Sequence, residues 1–103
     1  MSVTVVTTFV KEDKSTGDYS NPEIKKVIDE YEKSKKITKR ESWRSEDGLT
    51  QKRTRVFADQ ASFDAFLLED AVVNNRGKRH IWCRANGVKI IHDITKDPAS
   101  KLR

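Results

Sequence analysis

The chain has 103 residues, 35% apolar and 36% charged, with a net charge of +5. That length and that lean apolar content support one small domain with a thin core and exclude a thick, many-layered interior. The single cysteine, Cys83, excludes an internal disulfide and a cysteine-built zinc site; no run approaches the length of a membrane span and no basic-then-apolar leader is visible, so the expected location is the cytoplasm.

Ser2 to Val10 is almost wholly β-branched or aromatic and reads as a strand. Val3, Val5 and Phe9 fall on one face, Val6 and Val10 on the other. That pattern suits a central strand covered by helices on one side and by a partner subunit on the other. Lys11 to Ser20 is polar, holds Gly17, and is expected to be a mobile loop. Asn21-Pro22-Glu23 then opens a helix with an N-cap, a proline suited to the first position and an acid at the positive end of the dipole. Ile24, Val27, Ile28 and Tyr31 make one apolar stripe, and Lys33, Lys35 and Lys36 complement the closing end.

Ile37 to Ala58 centres on Asp47-Gly48, the dipeptide of a two-residue type I′ hairpin turn. In that register Trp43 faces Lys52, Glu41 faces Thr54 and Lys39 faces Val56. Strand side chains alternate, so Ile37, Lys39, Glu41 and Trp43 share one face with Lys52, Thr54 and Val56. Arg40, Arg44, Arg53 and Arg55 share the other with Thr38, Ser42, Gln51 and Phe57. Asp59 or Ser62 can cap a second helix carrying Phe63, Phe66, Leu67 and Ala71, widened by Leu68 and Val72. It is expected to stop at Asn74-Asn75-Arg76-Gly77, with Gly77 as the left-handed residue past the last turn. Asn86-Gly87 reads as a second hairpin turn, with Cys83 facing Ile90 and Trp82 facing Ile91. Lys96 to Arg103, past a domain of residues 1–95, reads as a flexible tail.

The order strand, helix, hairpin, helix, hairpin predicts an α+β fold. It is ferredoxin-like, β-α-β-β-α-β with an extra C-terminal strand, and both helices lie on one face of an antiparallel sheet. The first strand should lie between the third and fourth. The opposite sheet face is expected to be open and to gather a binding surface of Arg40, Arg44, Arg53, Arg55, Trp82, Arg84, Lys89 and Ile91, with Phe57 among them. Arginines interleaved with aromatics suit first a self-association surface or another protein partner, then a sheet that stacks bases and neutralises phosphates, or simply a solvated sheet whose arginine stems cover apolar neighbours.

The pattern of elements resembles the dimeric α/β-barrel superfamily, small ferredoxin-like domains that pair sheet to sheet. Its members include antibiotic-biosynthesis-type monooxygenases and chlorite-dismutase-like haem proteins. The resemblance covers most of the chain as element order and implies a homodimer. The same pattern is similar to an RNA-recognition fold, but Lys52-Arg53-Thr54-Arg55-Val56-Phe57 holds one aromatic where that family carries several. The readings therefore run in order. First comes a small non-enzymatic interaction module, a homodimer or bound to another protein. Next comes a nucleic-acid-binding module on the same arginines, then a monooxygenase-like barrel enzyme. Size and charge also suit a phage or accessory-element protein.

No catalytic constellation stands out. His80 and His92 fall on opposite faces of the second hairpin, and Cys83 reads as a small buried hydrophobe with His92 diagonal to it. Glu41 and Lys39 sit beside Trp43 near a hairpin tip. Four scattered turn glycines make no phosphate loop. No cofactor, metal or membrane contact is expected.

Overall fold

The β-branched N-terminal run is the strand on which the sheet is built. The computed structural model describes residues 2–13 and 15–97. β1 (Ser2–Val10) is followed by α1 (Pro22–Lys33), β2 (Ile37–Arg44), β3 (Thr50–Phe57), α2 (Gln60–Leu68), α3 (Asp70–Asn86) and β4 (Lys89–Asp97). The four strands form one antiparallel sheet in the order β2-β3-β1-β4. The α+β ferredoxin-like class expected from the sequence is the one observed, with the first strand central.

Local chemistry accounts for the elements. The Asn21 side chain accepts from the Glu23 N–H and Pro22 fills the first position of α1. Asp59, not Ser62, caps α2, accepting from the Ser62 N–H at 2.7 Å. The Asp47-Gly48 hairpin keeps its expected pairs, with Trp43 opposite Lys52, Glu41 opposite Thr54 and Lys39 opposite Val56. Its turn is not the two-residue type I′, because only Gly48 has positive φ. Ser45 N–H instead donates to the Thr50 carbonyl, closing a longer loop pinned by the Asp47 carboxylate. A bulge between Ile37 and Lys39 places Ile37 opposite Phe57 and buries it.

Three expectations about the second half need correction. The helix expected to end at Gly77 breaks instead at Glu69, whose backbone is extended, and restarts as α3 straight through Gly77. Residues 80–85 are therefore helix and not a strand, so among the described residues the second hairpin and the fifth strand are absent. Asn86-Gly87 ends α3. Gly87 is left-handed at φ 65, and the Val88 N–H returns to the Cys83 carbonyl at 2.9 Å. Positive φ serves a helix stop as well as a tight turn, which is why the dipeptide reads both ways. The expected tail begins inside β4, whose last residues are Lys96 and Asp97; residues 98–103 lie outside the described part.

Described residues of the 11–20 loop, expected to be mobile, make polar contacts at its two ends. Buried Lys11 donates to Asp18 at 2.6 Å and to the Thr16 carbonyl at 2.9 Å, Asp18 pairs with Arg44, and Tyr19 is buried.

The core has two separate parts. One joins Val3, Ile37 and Phe57 of the sheet to Ile24, Ile28 and Tyr31 of α1 and to Phe63, Phe66 and Val72 of α2 and α3. Phe57 lies 5.2 Å from Phe63 and 5.1 Å from Phe66 between ring centres. The other joins Phe9, Tyr19, Cys83 and Val88 at the far end of β1. Between them lies a polar middle.

Candidate functional site

The pairing fixes what that middle contains. Along the helix-covered face β1 presents Val3, Val5, Thr7 and Phe9, opposite Phe57, Arg55, Arg53 and Gln51 of β3. On its other side Val5, Thr7 and Phe9 face Ile94, His92 and Ile90 of β4. Fully buried Phe57 shares the arginine face, so that face is the covered one and not the open one.

The expected binding surface consequently divides. Arg40 is paired with Asp29 and Glu32 of α1. Arg44 is paired with Asp18. Arg53 donates to the Tyr19 carbonyl at 2.7 Å and lies 5.0 Å from the Phe9 ring centre. Arg55 points into the interior. Trp82 and Arg84 belong to α3; Trp82 packs 5.7 Å from Tyr19, while Arg84 is exposed. Lys89 and Ile91 lie on the open sheet face with Thr8 and Val10. The eight residues do not form one patch.

A cavity of about 240 Å³ opens between sheet, α2 and α3. Its apolar wall includes Val5, Phe57, Phe63, Phe66, Leu67 and Val72, and its polar lining is Thr7, Arg55, Asn75, Arg76, Arg79 and His92. Arg55 and Ile24 also line a larger hollow of about 810 Å³ between α1 and the β2–β3 ribbon. That hollow is roomier, but its other arginines are already engaged, Arg40 by carboxylates and Arg53 by a carbonyl. The inner cavity differs: among the described residues no carboxylate lies within ion-pair distance of Arg55, Arg76 or Arg79.

Electrostatics follow from this crowding. Burial, then the neighbouring charges of Arg53, Arg79 and Arg40, push Arg55 from 12.5 down to about 10. Burial likewise lowers Arg53 and Arg79. Burial and then Arg79, Arg55 and Arg76 push His92 below its usual range, so its imidazole is neutral near pH 7. Arg79 Nη2 donates to His92 Nε2 at 3.2 Å, which leaves the proton on Nδ1, 3.2 Å from Thr7 Oγ1. Both ring nitrogens are engaged. His92 therefore orients Arg79, and the cavity is a cationic, largely apolar chamber suited to an anion.

Sequence reasoning missed Thr7, Asn75, Arg76 and Arg79 as a group and placed His92 on a hairpin with Cys83. Cys83 is buried in α3, as a small hydrophobe would be. The overlooked signal is a helical spacing, Val72-Asn75-Arg79-Cys83, in which polar residues interrupt an apolar face.

The sequence matches no family model and no curated protein sequence. The fold has solved counterparts. SnoaB from Streptomyces nogalater, described as a cofactor-independent oxygenase, is 15% identical, with 93% of this chain and 92% of that one covered at a TM-score of 0.59. A conserved protein from Methanosarcina mazei Go1 is 14% identical, with 94% and 93% covered at 0.60. A protein from an uncultured marine organism, described as dimeric and ferredoxin-like, is 18% identical, with 91% and 92% covered at 0.55. The fold is thus the ferredoxin-like α+β fold that these neighbours share, as the element order implied.

Proposed function

We propose that this protein is a small oxygenase that activates an enolisable or phenolic aromatic as its anion in the inner cavity. The observation that carries the reading is a chamber of apolar walls in which Arg55 and Arg79 face inward without a carboxylate. Fixed positive charge in a partly desolvated cleft, open to solvent at Arg76, His92 and Ile94, favours ionisation of a bound acidic C–H or O–H, because the anion meets prearranged donors. The likeness to a protein described as a cofactor-independent oxygenase supports the next step. In it the substrate anion passes an electron to dioxygen and recombination at carbon gives a hydroperoxide. Loss of water from an activated methylene then leaves a carbonyl. The substrate supplies every electron; one oxygen atom stays in the product and the other leaves as water. The abstracted proton departs to water in the outer hollow, and His92 serves by holding Arg79.

This reading replaces the non-enzymatic module as the better supported one, since the expected interaction surface divides: Arg53 and Arg55 face inward, while Arg40 and Arg44 are paired with carboxylates of the loop and α1. Self-association remains part of it. The open sheet face presents Val6, Val10, Val56, Ile91 and Trp43; Ile91 is 42% and Trp43 54% exposed. A second copy packed sheet to sheet would cover them.

Oxygen uptake tests the enzymatic reading. β-Tetralone and anthrone are incubated with the protein in chelator-treated buffer. Uptake above the spontaneous rate, lost in Arg55→Met and Arg79→Met, is expected; identical uptake with wild type and both variants refutes it. Light scattering at low and high salt tests the pairing. A dimer insensitive to salt and disrupted by Ile91→Asp is expected, whereas a monomer at all concentrations refutes it.

A further inference from the structure

This inference rests on the cavity being the functional site and concerns what its ligand carries. Asn75 is only 5% exposed. Its Oδ1 accepts from Tyr19 Oη at 2.7 Å and from Asn21 Nδ2 at 3.1 Å. Two donors on one atom settle which end of the amide is which. The oxygen turns to the loop, and Nδ2, with no protein partner among the described residues, is left for the cavity that Asn75 lines. Arg55, also in that lining, makes no hydrogen bond to protein among the described residues, and Arg79 spends one nitrogen on His92. Apart from the Thr7 hydroxyl, which already accepts from His92, the unfilled polar side chains are donors.

A lining so rich in donors selects by charge and by shape. A neutral amide or acid would bring its own N–H or O–H to a place where the Thr7 hydroxyl is the one side-chain acceptor among the described lining residues, and a buried donor without a partner is costly. A tetrahedral dianion would press its remaining oxygens against Phe57, Phe63 and Phe66. A planar carboxylate fits the guanidinium fork and brings acceptors alone. The apolar wall of Phe57, Phe63, Phe66 and Val72 beside Arg55 suits a flat ring of modest size.

We propose that the inner cavity binds a compact aromatic carboxylate of one ring or two fused rings. The carboxylate is held by Arg55 and the Asn75 amide, and the ring lies among Phe57, Phe63 and Phe66. Arg79 is then left for the anion that develops during reaction.

Titration calorimetry on the full chain tests this with 2-naphthoate and its neutral counterpart 2-naphthamide. Naphthoate should bind at least about tenfold more tightly. Arg55→Met should abolish the preference, and so should Asn75→Asp, which keeps an acceptor for Tyr19 and Asn21 but turns a carboxylate toward the ligand. Thermal melts of both variants establish that they fold. Equal binding of the two probes, or a preference that survives in both folded variants, overturns the proposal. The oxygenase reading fails separately: selective naphthoate binding without oxygen uptake on any substrate leaves the carboxylate site standing. Oxygen uptake on neutral aromatics with no naphthoate preference overturns the carboxylate site alone.

Discussion

Replacing Arg55 with Met should make the protein more stable while removing its capacity to hold an anion. The guanidinium is mostly buried and unpaired, and burial followed by Arg53, Arg79 and Arg40 depresses it from 12.5 to about 10. Such a depression corresponds to ~3 kcal/mol against the charged form near neutral pH. Arg55 also borders the outer hollow, where water screens it, so the expected gain is about 2 kcal/mol. Met retains most of the stem volume and brings no charge to bury. The pH dependence has a definite sign. A base with a lowered folded pKa binds fewer protons folded than unfolded, so its penalty is full below about pH 10 and relieved as pH rises from there toward 12.5. Urea unfolding of wild type and variant, near neutral pH and above pH 10, reads the difference. The variant should be the more stable at neutral pH, and the gap should close above about pH 10. A variant less stable than wild type at neutral pH, or a gap that widens in alkali, refutes the view of Arg55 as an unpaired charge kept for a ligand.

Gly77 lies mid-helix, and a Cβ there would meet nothing within 4 Å. Gly77→Ala should therefore stabilise by about 1 kcal/mol and raise Tm by ~4 °C, whereas a left-handed cap at this position would make the same change destabilising. The Arg44 and Lys11 side chains hold Asp18 down to about 2. A lowered carboxylate stabilises above its ordinary 3.8 and loses that contribution as pH falls through about 2. With the Asp18 side chain 36% exposed, Asp18→Asn should cost only about 1 kcal/mol near neutral pH, a deficit that shrinks in acid melts. His92 is depressed below its usual 6.5, so wild type should lose stability as pH falls below that value, when the unfolded imidazole takes a proton that the folded one resists. His92→Gln should flatten that part of the profile, and a profile unchanged by the substitution counts against the Arg79–His92 contact.

Much of the fold could be read from local signals. The Asn21-Pro22-Glu23 helix start, the register of the first hairpin and the central first strand all follow from residue chemistry that acts over a few positions. The faces were harder. Alternation grouped Arg40, Arg44, Arg53 and Arg55 correctly, but which face the helices cover is a tertiary question. Phe57 among the arginines was the residue that could have settled it, because a large aromatic at the end of a central strand needs cover. The second half misled for a different reason. Ile81, Cys83 and Ala85 alternate with His80, Trp82 and Arg84 as a strand would, and Asn86-Gly87 supplies positive φ for either a turn or a helix stop. The helical spacing Val72-Asn75-Arg79-Cys83 competes with that alternation, and it is obscured because its middle members are polar for the cavity they line. Thr7 escaped notice likewise, as a small polar interruption in an apolar face. The residues that depart from the pattern are the ones that build the site.

Side-chain NMR during a titration with 2-naphthoate tests the central claim most directly, namely that the cationic cavity between sheet and helices is the functional site. The account predicts saturable shifts at the Arg55 and Arg79 guanidinium N–H groups and at the Asn75 amide, with Lys39 and Lys52 on the open face unmoved. Shifts confined to the exposed lysines and Trp43, with Arg55, Arg79 and Asn75 unchanged at saturation, would contradict it.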